Sequence, residues 1–186
     1  MKDNIKDNKI KRTSENIKPF TVTYNNKNIN FCVIPVNNIN IRENLNWKEK
    51  KNFKGCIYST PQKGLRHIKN NETVLIFEAN MDENRIEGMG IIQKKEPIFC
   101  KHKIYNNNNN NRYCYKGENH FEIQEIINID KELIEKIEKM IFTGYWHMKR
   151  INSISLITKR IIEINKTKRN NNINFDKFVL NFDKYF

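Results

Sequence analysis

The sequence predicts an α+β protein, a small mixed β-barrel with helices packed at its openings. Three observations carry that expectation. First, Phe53 to Gln93 holds three short apolar runs, Cys56-Ile57-Tyr58, Thr73 to Ala79 and Ile86 to Ile92, divided by turn residues. Runs of this length, rich in β-branched and aromatic residues, read as strands, with Asn80 to Asn84 as a hairpin loop. Second, Phe20 to Tyr24 and Ile29 to Val36 alternate on either side of an Asn25 to Asn28 turn, the pattern of another hairpin. Third, Asp130 to Phe142 sets Leu133, Ile134, Ile137, Met140 and Ile141 on one face, with Asp130 as its cap. Six or seven strands that close on themselves lose their exposed edges and leave a concave mouth between strand ends and a helix.

The remaining elements follow in chain order. Residues 1–17 are polar and aperiodic and read as a disordered basic tail. The barrel domain spans 18–165, and 166–186 form a basic link and an aromatic C-terminal segment. Ile41 to Phe53 reads as a short helix that Leu45 and Trp47 press on the sheet. Glu96 to Asn111 is loop-like and ends in an asparagine run expected to be mobile. Arg112 to Gly117 is strand-like, Phe121 to Ile123 is a short extension, and Ser153 to Thr158 is a last strand. Lys159 to Ile164 reads as a short helix, and Phe175 to Phe186 as a segment docked on the domain or on a partner.

The net charge of +13 over 186 residues points to a polyanionic partner. The chain is crowded with Lys, Asn and Ile and has a single alanine, Ala79, the imprint of an AT-rich genome on unconstrained positions. Arginine is scarcer, so Arg66, Arg85, Arg112 and Arg150 beside structured segments carry more information than the lysines. No apolar run approaches the roughly 20 residues of a membrane span. The start lacks a secretory signal, so a soluble intracellular protein is expected. Cys32, Cys56, Cys100 and Cys114 are too scattered for a zinc site and read as free thiols.

Several residues could carry chemistry. Tyr58, Phe77, Tyr113, Tyr115 and Trp146 are rings on which bases can stack or which fill a core. Tyr113 and Tyr115 share a strand face flanked by Arg112 and Lys116, and Trp146 lies beside His147, Lys149 and Arg150 in a loop after Gly144. Cations for phosphates next to rings for bases is the composition that nucleic-acid sites need. Gly88 and Gly90 leave a bare strip that a backbone or a flat base can approach. Glu78 and Glu87 flank the central hairpin, as a hairpin charge or as a hydrogen-bond anchor for a bound base. His120 and His147 invite a catalytic reading, but no nucleophile, P-loop, dinucleotide or HExxH motif accompanies them. No catalytic residue, cofactor or metal is expected.

Phe53 to Pro61, Val74 to Asn80 and Asn84 to Ile92 resemble segments of an uncharacterised protein family of the nucleocytoplasmic large DNA viruses, in which "GCIYGSP" precedes a "GIGLI" strand. Arg112 to Gly117 is similar to that family's "NRYIYKG", and His147 to Arg150 with Ile154 to Leu156 to its closing segment. Ser59 and Thr60 stand where the family has Gly and Ser, and Ile151-Asn152-Ser153 where it has a Gly-rich turn. More distantly, the strand order resembles the PUA-like superfamily of EVE, ASCH and YTH domains, which implies a small barrel that binds RNA or modified bases. Together these readings give an RNA-binding module that seats one unpaired or modified base. Trp146 and Tyr58 stack on it, with Tyr113 and His147 beside it. Ser59 and Asn80 bond its edge, while Arg66, Arg112, Lys149 and Arg150 hold phosphates. The alternative is a protein-interaction adaptor in a viral complex, with a viral partner held through 175–186. The resemblance implies a setting in the host cytoplasm or virus factory, or in the nucleus.

Overall fold

The structure is a computed structural model that describes residues 18–96, 98–144, 148 and 151–186. The first hairpin joins β1 (Thr21–Tyr24) to β2 (Lys27–Val36). Its two turn residues, Asn25 and Asn26, have φ of 47° and 59°, the left-handed pair that a tight hairpin needs. Asn37 then caps α1 (Asn38–Lys50) by accepting from the Asn40 amide at 2.7 Å. The chain continues through β3 (Cys56–Thr60), β4 (Thr73–Asn80) and β5 (Arg85–Gln93). The β4–β5 hairpin turns at Asn84, again left-handed with φ of 55°. Its loop is fixed by Asn80, whose side-chain oxygen accepts from the amides of Asp82 and Glu83.

β6 (Ile98–Phe99), β7 (Tyr113–Gly117) and β8 (Asn119–Glu122) follow, and then α2 (Ile123–Phe142). α2 begins seven residues before the expected start and breaks at Asp130, whose φ of −154° and ψ of 82° are not helical. The expected cap is nevertheless there, because Asp130 Oδ1 accepts from the Leu133 amide at 3.0 Å. All five apolar residues of the expected face are buried. β9 is only Ser155–Leu156, and α3 (Lys159–Arg169) and α4 (Phe175–Asn181) complete the chain.

The main sheet has six strands in the order β1-β2-β4-β5-β8, with β9 also on β2, and the second has the order β3-β7-β6. Among the described residues these ladders do not close into one ring. Within the main sheet β2 pairs with β4 in parallel, from Ile29↔Thr73 to Val36↔Asn80. A parallel pair needs a crossover, and α1 with β3 supplies it outside the main sheet. Both faces of the main sheet are thereby covered. Phe31, Val33, Leu75, Phe77 and Met89 pack on α2 and α4, whereas Cys32, Ile34, Val74, Ile76 and Ile92 pack with Tyr58 and Tyr115 of the small sheet. Burial on both faces is why β2 and β4 read as continuous apolar runs.

The bare strip on β5 receives a neighbouring strand of the protein itself. A Cβ on Gly90 would stand 2.2 Å from Tyr58 Oη and 2.6 Å from Cys56 Cβ, so the glycine is what lets β3 lie down on β5. The aromatic C-terminal segment docks on the domain. Phe175, Phe178 and Phe182 are fully buried, with ring centroids 4.4 Å from Phe31, 6.0 Å from Phe77 and 5.1 Å from Phe121 respectively. No helix among the described residues is long and apolar enough to cross a membrane.

Because α4 closes one face of the main sheet, Phe178→Ala should cost about 3–5 kcal/mol in urea unfolding, the range for emptying a buried aromatic site. Leu180→Ala, on the same helix but 55% exposed, should stay within about 0.5 kcal/mol of the parent.

Candidate nucleic-acid interface and the cavity beneath α1

Two regions gather candidate functional side chains. The first is the outer part of the small sheet. Phe99 of β6 is 71% exposed, and its ring lies 5.6 Å from that of its register partner Tyr113 on β7. Lys63 Nζ sits 5.8 Å from the Tyr113 centroid, and Arg66 and Arg112 are exposed nearby in the chain. A groove of about 310 Å³ runs past Phe99 and is lined by Lys95, Lys101, His102 and Lys116 among others. His102 has its pKa held below the ordinary histidine value, first by burial and then by the charges of Lys116 and Lys51. The asparagine run beside this sheet is an ordered turn, because Asn111 Oδ1 accepts from the amides of Ile104 and Tyr105, both at 3.0 Å.

The second region lies beneath α1, where four elements each contribute one group. Tyr58 of β3 donates from Oη to Glu78 Oε1 at 2.7 Å, and His120 Nε2 of β8 meets the same oxygen at 3.0 Å. On the other side of the imidazole, Nδ1 faces Lys48 Nζ of α1 at 3.4 Å and Glu122 Oε1 at 3.6 Å. With an ammonium at Nδ1, the consistent tautomer carries its proton on Nε2 and donates it to Glu78. Burial pushes the Glu78 carboxyl up, but the bond and charge of His120, the bond from Tyr58 and the charge of Lys48 outweigh it, and the net shift is downward. Burial first, and then Glu78, push the Tyr58 phenol well above its usual value, so it stays protonated as a donor. Cys56 beside it is pushed up to about 12, chiefly by burial, and is no nucleophile near neutral pH. The set can offer an acceptor at Glu78 and a hydrogen-bond donor at Lys48.

α1 rests on this cluster in an unusual way for a helix of thirteen residues, since none of its residues is buried. Its inward positions Ile41, Asn44, Leu45 and Lys48 line a cavity of about 210 Å³ with Glu78 and His120. Polar bonds mount it instead: Asn44 donates to Ile57 O at 2.8 Å and the Asn38 amide to Asp82 at 3.0 Å, while Asn38 Oδ1 accepts from Asn80 and Glu43 accepts from Asn106. Leu45 is 48% exposed, and Trp47 packs on Phe53 and His102, so the expected pressing of Leu45 and Trp47 on the sheet is not how the helix is held.

These two regions divide the residues that the sequence singled out. Arg66, Arg112 and Tyr113 come to the small sheet, together with Phe99 and Lys63, which the sequence reading passed over. Tyr58 is 2% exposed and engaged to Glu78, so it has no open ring face on which a base could stack. Asn80 is fully buried, and its amide donates to Asn38 and Glu87 while its oxygen holds the hairpin loop, which makes it a structural anchor. Ser59 lines a second polar cavity of about 300 Å³, but its hydroxyl is sealed from solvent and without a hydrogen-bond partner. Trp146, His147, Lys149 and Arg150 lie outside the described residues. The docking of 175–186 buries Phe175, Phe178 and Phe182 in the protein's own core, while Tyr185 and Phe186 stay half-buried. His120 and Glu78 were visible singly; Lys48, hidden among surface lysines, had no signal in the sequence. Among the described residues no three His, Cys, Asp or Glu side chains gather as a metal site.

No protein-family model matches the chain, and no curated protein or solved structure matches it either.

Two outcomes follow from the geometry. A carboxyl whose folded pKa is lowered stabilises the fold fully above its ordinary value of 4.5, and that contribution is lost as pH falls through the lower folded value. Urea unfolding across pH 3–7 should therefore show an acid limb that Glu78→Gln flattens. Ser59→Ala removes a hydroxyl desolvated without a partner, so it should leave stability unchanged or raise it by about 1 kcal/mol. A clear loss of stability would mean that the hydroxyl has a partner after all.

Proposed function

We propose that this protein binds single-stranded nucleic acid, RNA first among the candidates, across the outer part of the β3-β7-β6 sheet. The observation that carries the reading is the exposed Phe99 ring set against Tyr113 with Lys63 above it. Single exposed apolar side chains are ordinary, but an exposed ring paired with a second ring beneath a cation offers a stacking place for a partner with flat faces. Bases supply such faces whatever their sequence, at roughly 1–3 kcal/mol each. The cations around the ring pair, Lys63, Arg66, Arg112, Lys95, Lys101 and Lys116, suit a phosphate backbone that passes through the adjoining groove. The scaffold suits this work as an opened relative of the PUA-like barrel, its two sheets facing each other without a continuous ring of ladders. Binding is non-catalytic in this reading. The adaptor alternative loses its main support, because the rings of Phe175, Phe178 and Phe182 are spent inside the core.

Fluorescence anisotropy with a labelled single-stranded RNA of mixed sequence tests the reading. The parent chain should bind with an affinity that falls steeply between 50 and 200 mM salt, on the order of tenfold or more. Phe99→Ala and Tyr113→Ala should each weaken binding about 5- to 100-fold at fixed salt, the equivalent of one stacked base. Unchanged affinity in both variants would remove the interface from consideration.

A further inference from the structure

We propose that the cavity beneath α1 is a seat for one unpaired guanine, with Glu78 and Lys48 reading its hydrogen-bonding edge. The first support is the cavity itself. A helix normally hides an apolar stripe on the layer below it, yet the inward face of α1 looks onto about 210 Å³ of space and has no buried residue. Something flat and partly apolar would complete that packing, with Val36, Ile41 and Leu45 as its apolar walls.

The second support is the chemistry at the cavity's polar end. Glu78 is an ionised acceptor fixed in place by Tyr58 and His120, both of which bond Oε1. Among the described residues nothing donates to Oε2, and the carboxylate keeps 16% of its surface. Lys48 stands on the far side of His120 as a fixed donor. A carboxylate acceptor and an ammonium donor on opposite sides of the imidazole supply the two kinds of partner needed by an edge with two adjacent donors and one acceptor. Guanine has that edge in N1–H, the N2 amino group and O6. Uracil offers one donor between two acceptors, and cytosine and adenine one donor group each. Carboxylates accept from base amino groups, and lysine donates to guanine O6, in the ordinary repertoire of base recognition. Anionic ligands are disfavoured, because Glu87 and Glu122 also line the space.

The third support is that the sheet makes room for the acceptor. A Cβ at Gly88 would stand 3.2 Å from Glu78 Oε2 and 2.8 Å from the Phe121 carbonyl, so a side chain there would crowd the carboxylate. The choice of a purine over other planar donors rests on the nucleic-acid reading above; the geometry of the seat does not.

Thermal unfolding of the full chain with guanosine, adenosine, cytidine, uridine or N-acetyl-arginine amide provides the test. Guanosine should raise Tm in a concentration-dependent way and bind at least about tenfold tighter than uridine. Leu45→Trp, placed on the half-exposed wall of the helix, should fill the seat and abolish the response with the fold intact. Glu78→Gln should abolish it as well, and Lys48→Met should weaken it about tenfold. An equal response to uridine, a response that survives Leu45→Trp, or a response to the arginine amide alone would overturn the proposal. If Glu78→Gln fails to fold, Leu45→Trp decides. A chain blind to guanosine that binds RNA through Phe99 loses the seat and keeps the interface. A chain that answers guanosine but ignores RNA does the reverse.

Discussion

The parallel register of β2 on β4 is the constraint from which the rest of the structure follows. Two strands that run the same way cannot be joined by a tight turn, so thirty-six residues, 37–72, must leave the sheet and return. That excursion carries α1 and β3 onto one face of the main sheet, and β3 then recruits β7 and β6. The opposite face is left for α2 and α4. Eight register pairs hold β2 to β4, and eight more hold β4 to β5. The central strands are thus saturated on both edges and buried on both faces, and the polar cluster forms where the excursion meets Glu78 of β4 and His120 of β8.

The two coverings are made in different ways. α2 and α4 bury Ile137, Met140, Phe175 and Phe178 completely, which is the usual hydrophobic closure of a sheet. α1 is mounted by amide and carboxylate bonds above a charged cluster. A buried Tyr–Glu–His set is a poor way to gain stability, since desolvation offsets most of what its bonds return and a well-packed apolar replacement of similar shape is often as stable. Such a set is better understood as fixing the position and charge of Glu78 than as holding the sheets together. The low hydrophobic share of the chain belongs in part to the same account, because α1 buries none of its residues.

How much of this was legible depended on whether neighbours in space were neighbours in sequence. The two hairpins and the 130–142 helix face are local patterns, and they stand almost as read. The 123–129 turn of α2 was missed because Asp130, a good cap, interrupts the helix and looks like its beginning. Closure into a barrel was expected because strands of this length favour hidden edges, but which strands pair is a long-range choice that no local pattern announces. Tyr58 illustrates the limit for the site. Every residue of β3 is buried, so alternation could not say which ring faces a ligand and which a carboxylate. Lys48, Tyr58, Glu78 and His120 meet only because four elements converge, and none of the intervals between them has a meaning of its own.

The composition deserves a second reading in this light. An AT-rich genome accounts for an excess of asparagine and lysine, but the two residues have different fates. Among the described residues, all six non-glycine positions with positive φ are asparagines: Asn25, Asn26, Asn52, Asn71, Asn84 and Asn170. Asn37 and Asn174 cap helices, and Asn80 and Asn111 tie down loops. Asparagine tolerates the left-handed region better than other residues with a side chain, and its short amide mimics a backbone turn. In a chain with only six glycines it takes over positions that would otherwise fall to glycine. Most lysines do no comparable work: among the described residues, Lys48 and Lys94 stand out as half-buried or buried cations with internal partners. The surplus charge of +13 is therefore weak evidence of a polyanion by itself. The positive charge bears on the proposed function through its placement around the exposed Phe99 and not through its amount.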